Sequence, residues 1–243
     1  MSTFYAILFI VATLVLVIGV ARRVYLYYKV PAPLKIPTTP APTTTAGVVM
    51  RMFREVVFFE SLFKATKWTW LFGWMFHIGL ALVLARHLRY FMDADNLFFP
   101  LVELIQPFGK YASFAMVAGL FGLLARRLFV DRVRYISSPS DYAMLLLLIL
   151  IGLAGMSITF FFRTDIVALK SFFDGLWVFD WKGLPTDAAL LIHLALVAIL
   201  FLIFPVSKLL HAPGVFFSPT RNQVDNPREQ RHIVDWARKL EEE

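Results

Sequence analysis

The chain has 243 residues, 59% of them hydrophobic, and a mean hydropathy of +0.68, which is too apolar for an ordinary soluble domain. Cysteine is absent, which excludes disulfides, a c-type haem attachment and a cysteine-ligated iron–sulfur cluster. The net charge of +7 does not point to nucleic acid, because the basic residues cluster in short loops beside apolar runs, the positive-inside pattern of a membrane protein.

Residues 4–20 form the first apolar run. No basic residue precedes it and Arg22 and Arg23 follow, so an uncleaved helix with its N-terminus outside is expected. Residues 21–67 hold Pro31, Pro33, Pro37, Pro40 and Pro42 with a run of threonines, which predicts an extended linker. Arg51, Arg54, Lys64 and Lys67 place that linker in the cytoplasm. The second span, residues 68–90 (WTWLFGWMFHIGLALVLARHLRY), runs outward and carries His77 and His87. Asp93, Asp95 and Glu103 populate the next loop, where Pro100 and Pro107 are expected to interrupt any helix.

A third span, residues 108–129, returns inward to Arg126, Arg127, Arg132 and Arg134. The fourth, residues 142–162, goes out again, and residues 163–187 follow with Trp177 and Trp181 placed for an interfacial belt. The fifth, residues 188–210, carries His193 and re-enters. His211-Ala-Pro-Gly finishes it, with Pro213 and Gly214 as stop signals. Residues 1–214 therefore read as one all-α integral membrane domain of five transmembrane helices, N-out and C-in, with a proline-rich cytoplasmic loop at about 30–50. Residues 215–243 read as a cytoplasmic tail. Pro219 and Pro227 should keep its first half extended, while Ile233, Trp236 and Leu240 have the spacing of an amphipathic helix suited to a groove on a soluble partner.

Four of the five histidines sit on two spans. An ionisable group at lipid depth is expensive and usually functional. His77 and His87 are ten residues apart, about 15 Å along a helix and roughly 80° around it. His193 and His211 are eighteen apart, about 27 Å and five whole turns if one helix carries both. Pro205 lies between them as a possible kink. Because the second span runs out and the fifth runs in, depth pairs His77 with His211 on the cytoplasmic side and His87 with His193 on the outer side. One imidazole from each of two facing helices, at two depths, is the ligand set of two b haems held between helices 2 and 5.

The rival readings are helix–helix hydrogen bonding or a proton path in a haem-free membrane anchor. Zinc is a poor rival, because it needs its ligands converging on one point. His232, in the polar tail, reads as a solvated residue. Arg86 and Arg89 flank His87 and have two readings of equal standing: snorkelling helix ends, or partners of the outer haem's propionates. Arg51, Arg54 or Arg126 are the corresponding inner choices. The patches at Gly119–Gly122 and Gly152–Gly155 serve close helix packing or make room for a flat macrocycle.

Two histidines ten apart on one span and two eighteen apart at the last of five resemble the dihaem cytochrome b (gamma) subunit family of respiratory nitrate reductase. The tail sequence HAPGVFFSPTRNQVDNPREQR, the length and the proline-rich first loop resemble the branch of that family serving complexes linked to dissimilatory sulfite reductase. The resemblance implies an electron-transfer subunit of a membrane oxidoreductase in the inner (cytoplasmic) membrane, with two bis-histidine b haems. It implies exchange with menaquinone or ubiquinone and a cytoplasmic iron–sulfur partner of heterodisulfide-reductase type, beside further membrane and periplasmic subunits. It also implies a lysine beyond the outer haem at the quinol site, for which Lys110 is the positional candidate.

Overall fold

A computed structural model describes residues 1–30, 37, 40–225, 234 and 240. Among them are helices and turns and no strand. Five helices are long and apolar enough to cross a membrane: α1 (Ser2–Lys29), α4 (Lys67–His87, extended by a 3₁₀ turn to Tyr90), α5 (Phe99–Phe129), α7 (Pro139–Phe160) and α9 (Ala188–Ile203, extended by a 3₁₀ turn to Val206). Their outward faces carry large exposed side chains such as Ile18, Leu84, Phe121, Leu150 and Ile199, as lipid contact requires. Two short helices, α2 (Thr45–Phe58) and α3 (Glu60–Ala65), precede α4. Three more join the spans or follow them: α6 (Asp131–Ile136), α8 (Ile166–Leu176) and α10 (His211–Gly214), with α11 (Pro219–Asn222) last.

The spans form an open arc. α4 packs on α5, α5 on α7, α7 on α9, and α9 on α1, whereas α4 and α9 do not form a packed pair. Glycine makes the tightest of these joints. A Cβ on Gly119 would stand 2.7 Å from Phe72 O and 2.8 Å from Phe76 N, and one on Gly79 would stand 2.8 Å from Met116 N, so the α4 and α5 backbones touch. The arc has two apolar cores. Phe76, Met116, Val117, Leu120 and Ile149 join α4, α5 and α7, while Phe9, Leu169, Phe172, Leu190 and Leu194 join α1, α8 and α9. α4 and α9 are thereby left with a gap between them.

Several expectations are corrected. Residues 21–67 are not a single extended linker. With no proline before Pro31, α1 continues to Lys29, and Thr44 starts α2 by accepting the Gly47 amide at 3.1 Å. Prolines 100 and 107 do not interrupt the third span, which is helical from Phe99. Pro100 sits in the first turn, where no amide is needed, and Pro107 forfeits a single backbone bond. Residues 163–187, for which the sequence reading named no element, contain α8, whose N-cap Asp165 accepts the amides of Val167 and Ala168.

The fifth span is the largest correction. α9 ends at Ile203, Pro205 lies in a 3₁₀ turn, and Ser207 is extended, so His193 and His211 do not share one helix and the 27 Å ruler of a continuous helix, at about 1.5 Å per residue, does not apply. His211-Ala-Pro-Gly is itself a helical turn rather than a stop, because Pro213 falls in its first turn. The first tail residues are likewise wound, with a 3₁₀ turn at Val215–Phe217 and Pro219 opening α11. The expected amphipathic helix of residues 228–243 lies almost wholly outside the described residues.

Candidate functional site: two histidine pairs across the gap

The structure brings His77 to His211 and His87 to His193. Their ring centres are 6.0 and 6.4 Å apart. His77 and His87 project from α4; His193 comes from α9 and His211 from the turn beyond it. None of the four is fully buried, as expected of rings facing a gap rather than packed protein.

Each ring is oriented by its backbone. His77 Nδ1 donates to Gly73 O at 2.7 Å, His87 Nδ1 to Val83 O at 2.7 Å, His193 Nδ1 to Ile151 O at 3.1 Å and His211 Nδ1 to Lys208 O at 2.8 Å. A carbonyl only accepts, so Nδ1 carries a proton in all four, and in the neutral imidazole Nε2 then keeps its lone pair. That is the tautomer a metal-binding imidazole needs, and the carbonyl bond raises its basicity. Two imidazoles on opposite sides of one metal, each with a metal–nitrogen bond of about 2 Å, hold their ring centres about 6 Å apart. The pairs fit that spacing. Among the described residues no three metal-ligating side chains converge, so each pair stands as a pair.

The surroundings differ at the two ends. Beside His77, Phe59 stands edge-on at 4.9 Å between ring centres, in a left-handed backbone conformation (φ 52°) that a phenylalanine adopts only under constraint. Four hydrogen bonds supply the constraint. Trp70 and Trp74 of α4 donate their indole N–H groups to the terminal α2 carbonyls Phe58 O (2.7 Å) and Val57 O (3.1 Å), and Glu55 accepts from the Ser61 hydroxyl and from Arg221 of α11 (3.0 Å). The wound first part of the tail is thereby fastened to the α2–α3 corner over His77.

At the other end, α8 packs against the turn that follows α4. Lys170 of α8 reaches Asp93 and Asp174, both at 2.9 Å. Desolvation opposes the Lys170 charge, but these two carboxylates hold its ammonium above the ordinary lysine range. Gly155 lies against the His193 ring, where a Cβ would stand 3.1 Å from Cε1. Arg89 donates to Gln106 Oε1 (3.3 Å) and Tyr90 OH (3.0 Å) and covers the Tyr90 ring, yet its Nε is buried without a partner. The Arg86 stem packs over Gly109, and among the described residues its guanidinium has no ion pair. Lys110 stands 5.2 Å from the Phe160 ring centre at this same end.

Sequence reading missed one polar cluster. Asp141 is buried, only 6% exposed, and receives Lys208 Nζ at 2.6 and 2.8 Å, with Arg127 at 3.6 Å. The legible signal was Ser138-x-x-Asp141, a capping box whose hydrogen bonds are both present.

An all-helical, multi-pass membrane protein with two imidazole pairs facing across a gap between its spans is a narrow class. Residues 46–227 match the nitrate reductase gamma subunit family, and the chain belongs to that family. It is 36% identical to a protein of Archaeoglobus fulgidus called Hdr-like menaquinol oxidoreductase cytochrome b-like subunit, across 93% of this chain and 81% of that one. The protein of the same description from Archaeoglobus profundus is 30% identical, across 96% and 82%. The nitrate reductase gamma chain of Bacillus subtilis is 28% identical across 56% and 68%.

Proposed function

We propose that the chain is the dihaem cytochrome b subunit of a membrane quinol oxidoreductase, passing electrons between menaquinone and a cytoplasmic iron–sulfur partner of heterodisulfide-reductase type. The observation that carries this reading is the pair of imidazole pairs, 6.0 and 6.4 Å across, each ring proton held by a carbonyl. The two relatives described as menaquinol oxidoreductase subunits support the quinone and the partner. Haem b held by two imidazoles carries one electron at a time, and its potential is set by ligand basicity and a low-dielectric shell.

The chain's own part is to hold. Gly73, Val83, Ile151 and Lys208 fix the four ring tautomers through their carbonyls. His77 and His211 take the inner haem, and His87 and His193 the outer. Among the described residues Arg86 has no ion pair and is the candidate for an outer propionate, Arg89 being engaged with Gln106 and Tyr90. With the chain N-out and C-in, the corner that Arg221 fastens to Glu55 would lie on the cytoplasmic face, beside a docked iron–sulfur partner. Within the family, the tail sequence favours the sulfite-reduction-linked branch, in which the membrane cytochrome is called DsrM, over the nitrate reductase branch.

Haem extraction and a dithionite-reduced spectrum of the intact complex test the reading. Two haems per chain with sharp reduced bands are expected. A ratio near one removes a site, and a featureless spectrum leaves the haem-free anchor. Reduction of those bands by a menaquinol analogue tests the quinone.

A second result separates the sites. The ring planes of His77 and His211 are 86° apart and those of His87 and His193 only 23°. Near-perpendicular imidazoles leave the two iron orbitals that accept their π density almost equal in energy, which raises the low-field g value of a ferric low-spin centre. Paramagnetic resonance of the oxidised protein should therefore give two signals, the larger g value vanishing in His211→Ala. Two identical signals would contradict the geometry.

A further inference from the structure

We infer that Asp141 is a positioning residue for His211, acting through Lys208. The inference rests on the dihaem reading above. Three of the four histidines are placed by a continuous helix, because His77, His87 and His193 sit within α4 or α9. His211 is not. Between α9 and His211 the chain passes a 3₁₀ turn at Phe204–Val206, extended Ser207 and a second 3₁₀ turn at Lys208–Leu210. Helical periodicity therefore does not fix where this imidazole points, and tertiary contacts must.

Lys208 is where those contacts meet the ligand. Its carbonyl accepts the His211 Nδ1 proton at 2.8 Å, and its ammonium is held by both carboxylate oxygens of Asp141 at 2.6 and 2.8 Å. The Asp141 side chain is 4% exposed although the Lys208 side chain is 72% exposed, so the carboxylate is the fixed member and the lysine stem is drawn to it. A buried carboxylate at the end of an apolar span is costly unless it is paired. Capping α7 needs only the Ser138 bonds, and the same Asp141 Oδ2 that serves them is also 2.8 Å from Lys208 Nζ. Asp141 thus ties α7 to the residue whose carbonyl orients the inner ligand.

The test uses the purified complex with the full chain. Asp141→Asn and Lys208→Gln alter local charge in opposite senses, so a field effect alone moves the inner midpoint potential in opposite directions. Positioning predicts that both variants do the same thing: they broaden or shift the inner low-field g value and weaken inner haem retention by about tenfold, as loss of a partner one step removed from a metal does. The outer signal stays unchanged. Lys208→Arg, which keeps a cation on Asp141, retains the wild-type inner signal. Unchanged inner signals in both charge variants, or midpoints displaced in opposite directions without broadening, overturn the inference while the dihaem reading stands. A wild-type protein without two haems overturns that reading itself.

Discussion

Replacing His87 or His193 by alanine is expected to halve the haem content and abolish one signal, and replacing His77 or His211 to abolish the other. On the proposed dihaem reading each haem would lose one of the two imidazoles that hold it, and the facing imidazole stands about 6 Å away on another element, with no described third ligand to take over. The remaining pair lies at the opposite end of α4, so it should be spared. Haem content by extraction, with spectra of each single variant, checks the pairing. If His77→Ala and His193→Ala abolished the same signal, the assignment of pairs would be wrong.

Gly119→Val is expected to do what no single histidine variant does, namely remove both haems together. Its Cβ would enter the α4 backbone at Phe72 O and Phe76 N. Backbone cannot rotate away as a side chain can, so α4 and α5 must separate, at a cost of about 3 kcal/mol or more. His77 and His87 both ride on α4 and would move as one body. Gly79→Val should behave alike, with Met116 N and Ala112 O in the path of its side chain. Gly183→Ala, where a Cβ meets nothing within 4 Å, is the matched control. Thermal stability in detergent and haem content per folded chain read the difference, and a Gly119→Val protein with both haems at wild-type stability would show that the α4–α5 joint yields.

The fastening of the tail to Glu55 also bears on how a soluble partner can be reached. Because Arg221 already holds the α2–α3 corner, a truncation beginning at residue 215 would disturb the Phe59 contact with His77 as well as any docking segment. A truncation beginning after Asp225, whose amide is bound by Pro42 O at 2.8 Å, leaves that corner intact. The second cut is the one that would test a partner-binding role for residues 226–243 by itself.

The amino-acid sequence by itself determined the five apolar spans and their order, because a bilayer demands long apolar helices and the basic clusters mark their ends. It also determined which histidines could meet, since partners at one depth on antiparallel spans follow from chain direction alone. Only the tertiary structure decided how they meet. Local rules misplaced Pro107 and Pro213, because a proline stops a helix only where its missing amide or ring collides with a needed bond, and that depends on position within each turn. The break after Ile203 removed the helical ruler for His211 and handed its orientation to Asp141, sixty-seven residues from Lys208 along the chain. No spacing pattern records such a contact. The left-handed Phe59 is of the same kind, since its strain is sustained by Trp70, Trp74 and Arg221, which converge on it only once α4 and the tail have packed.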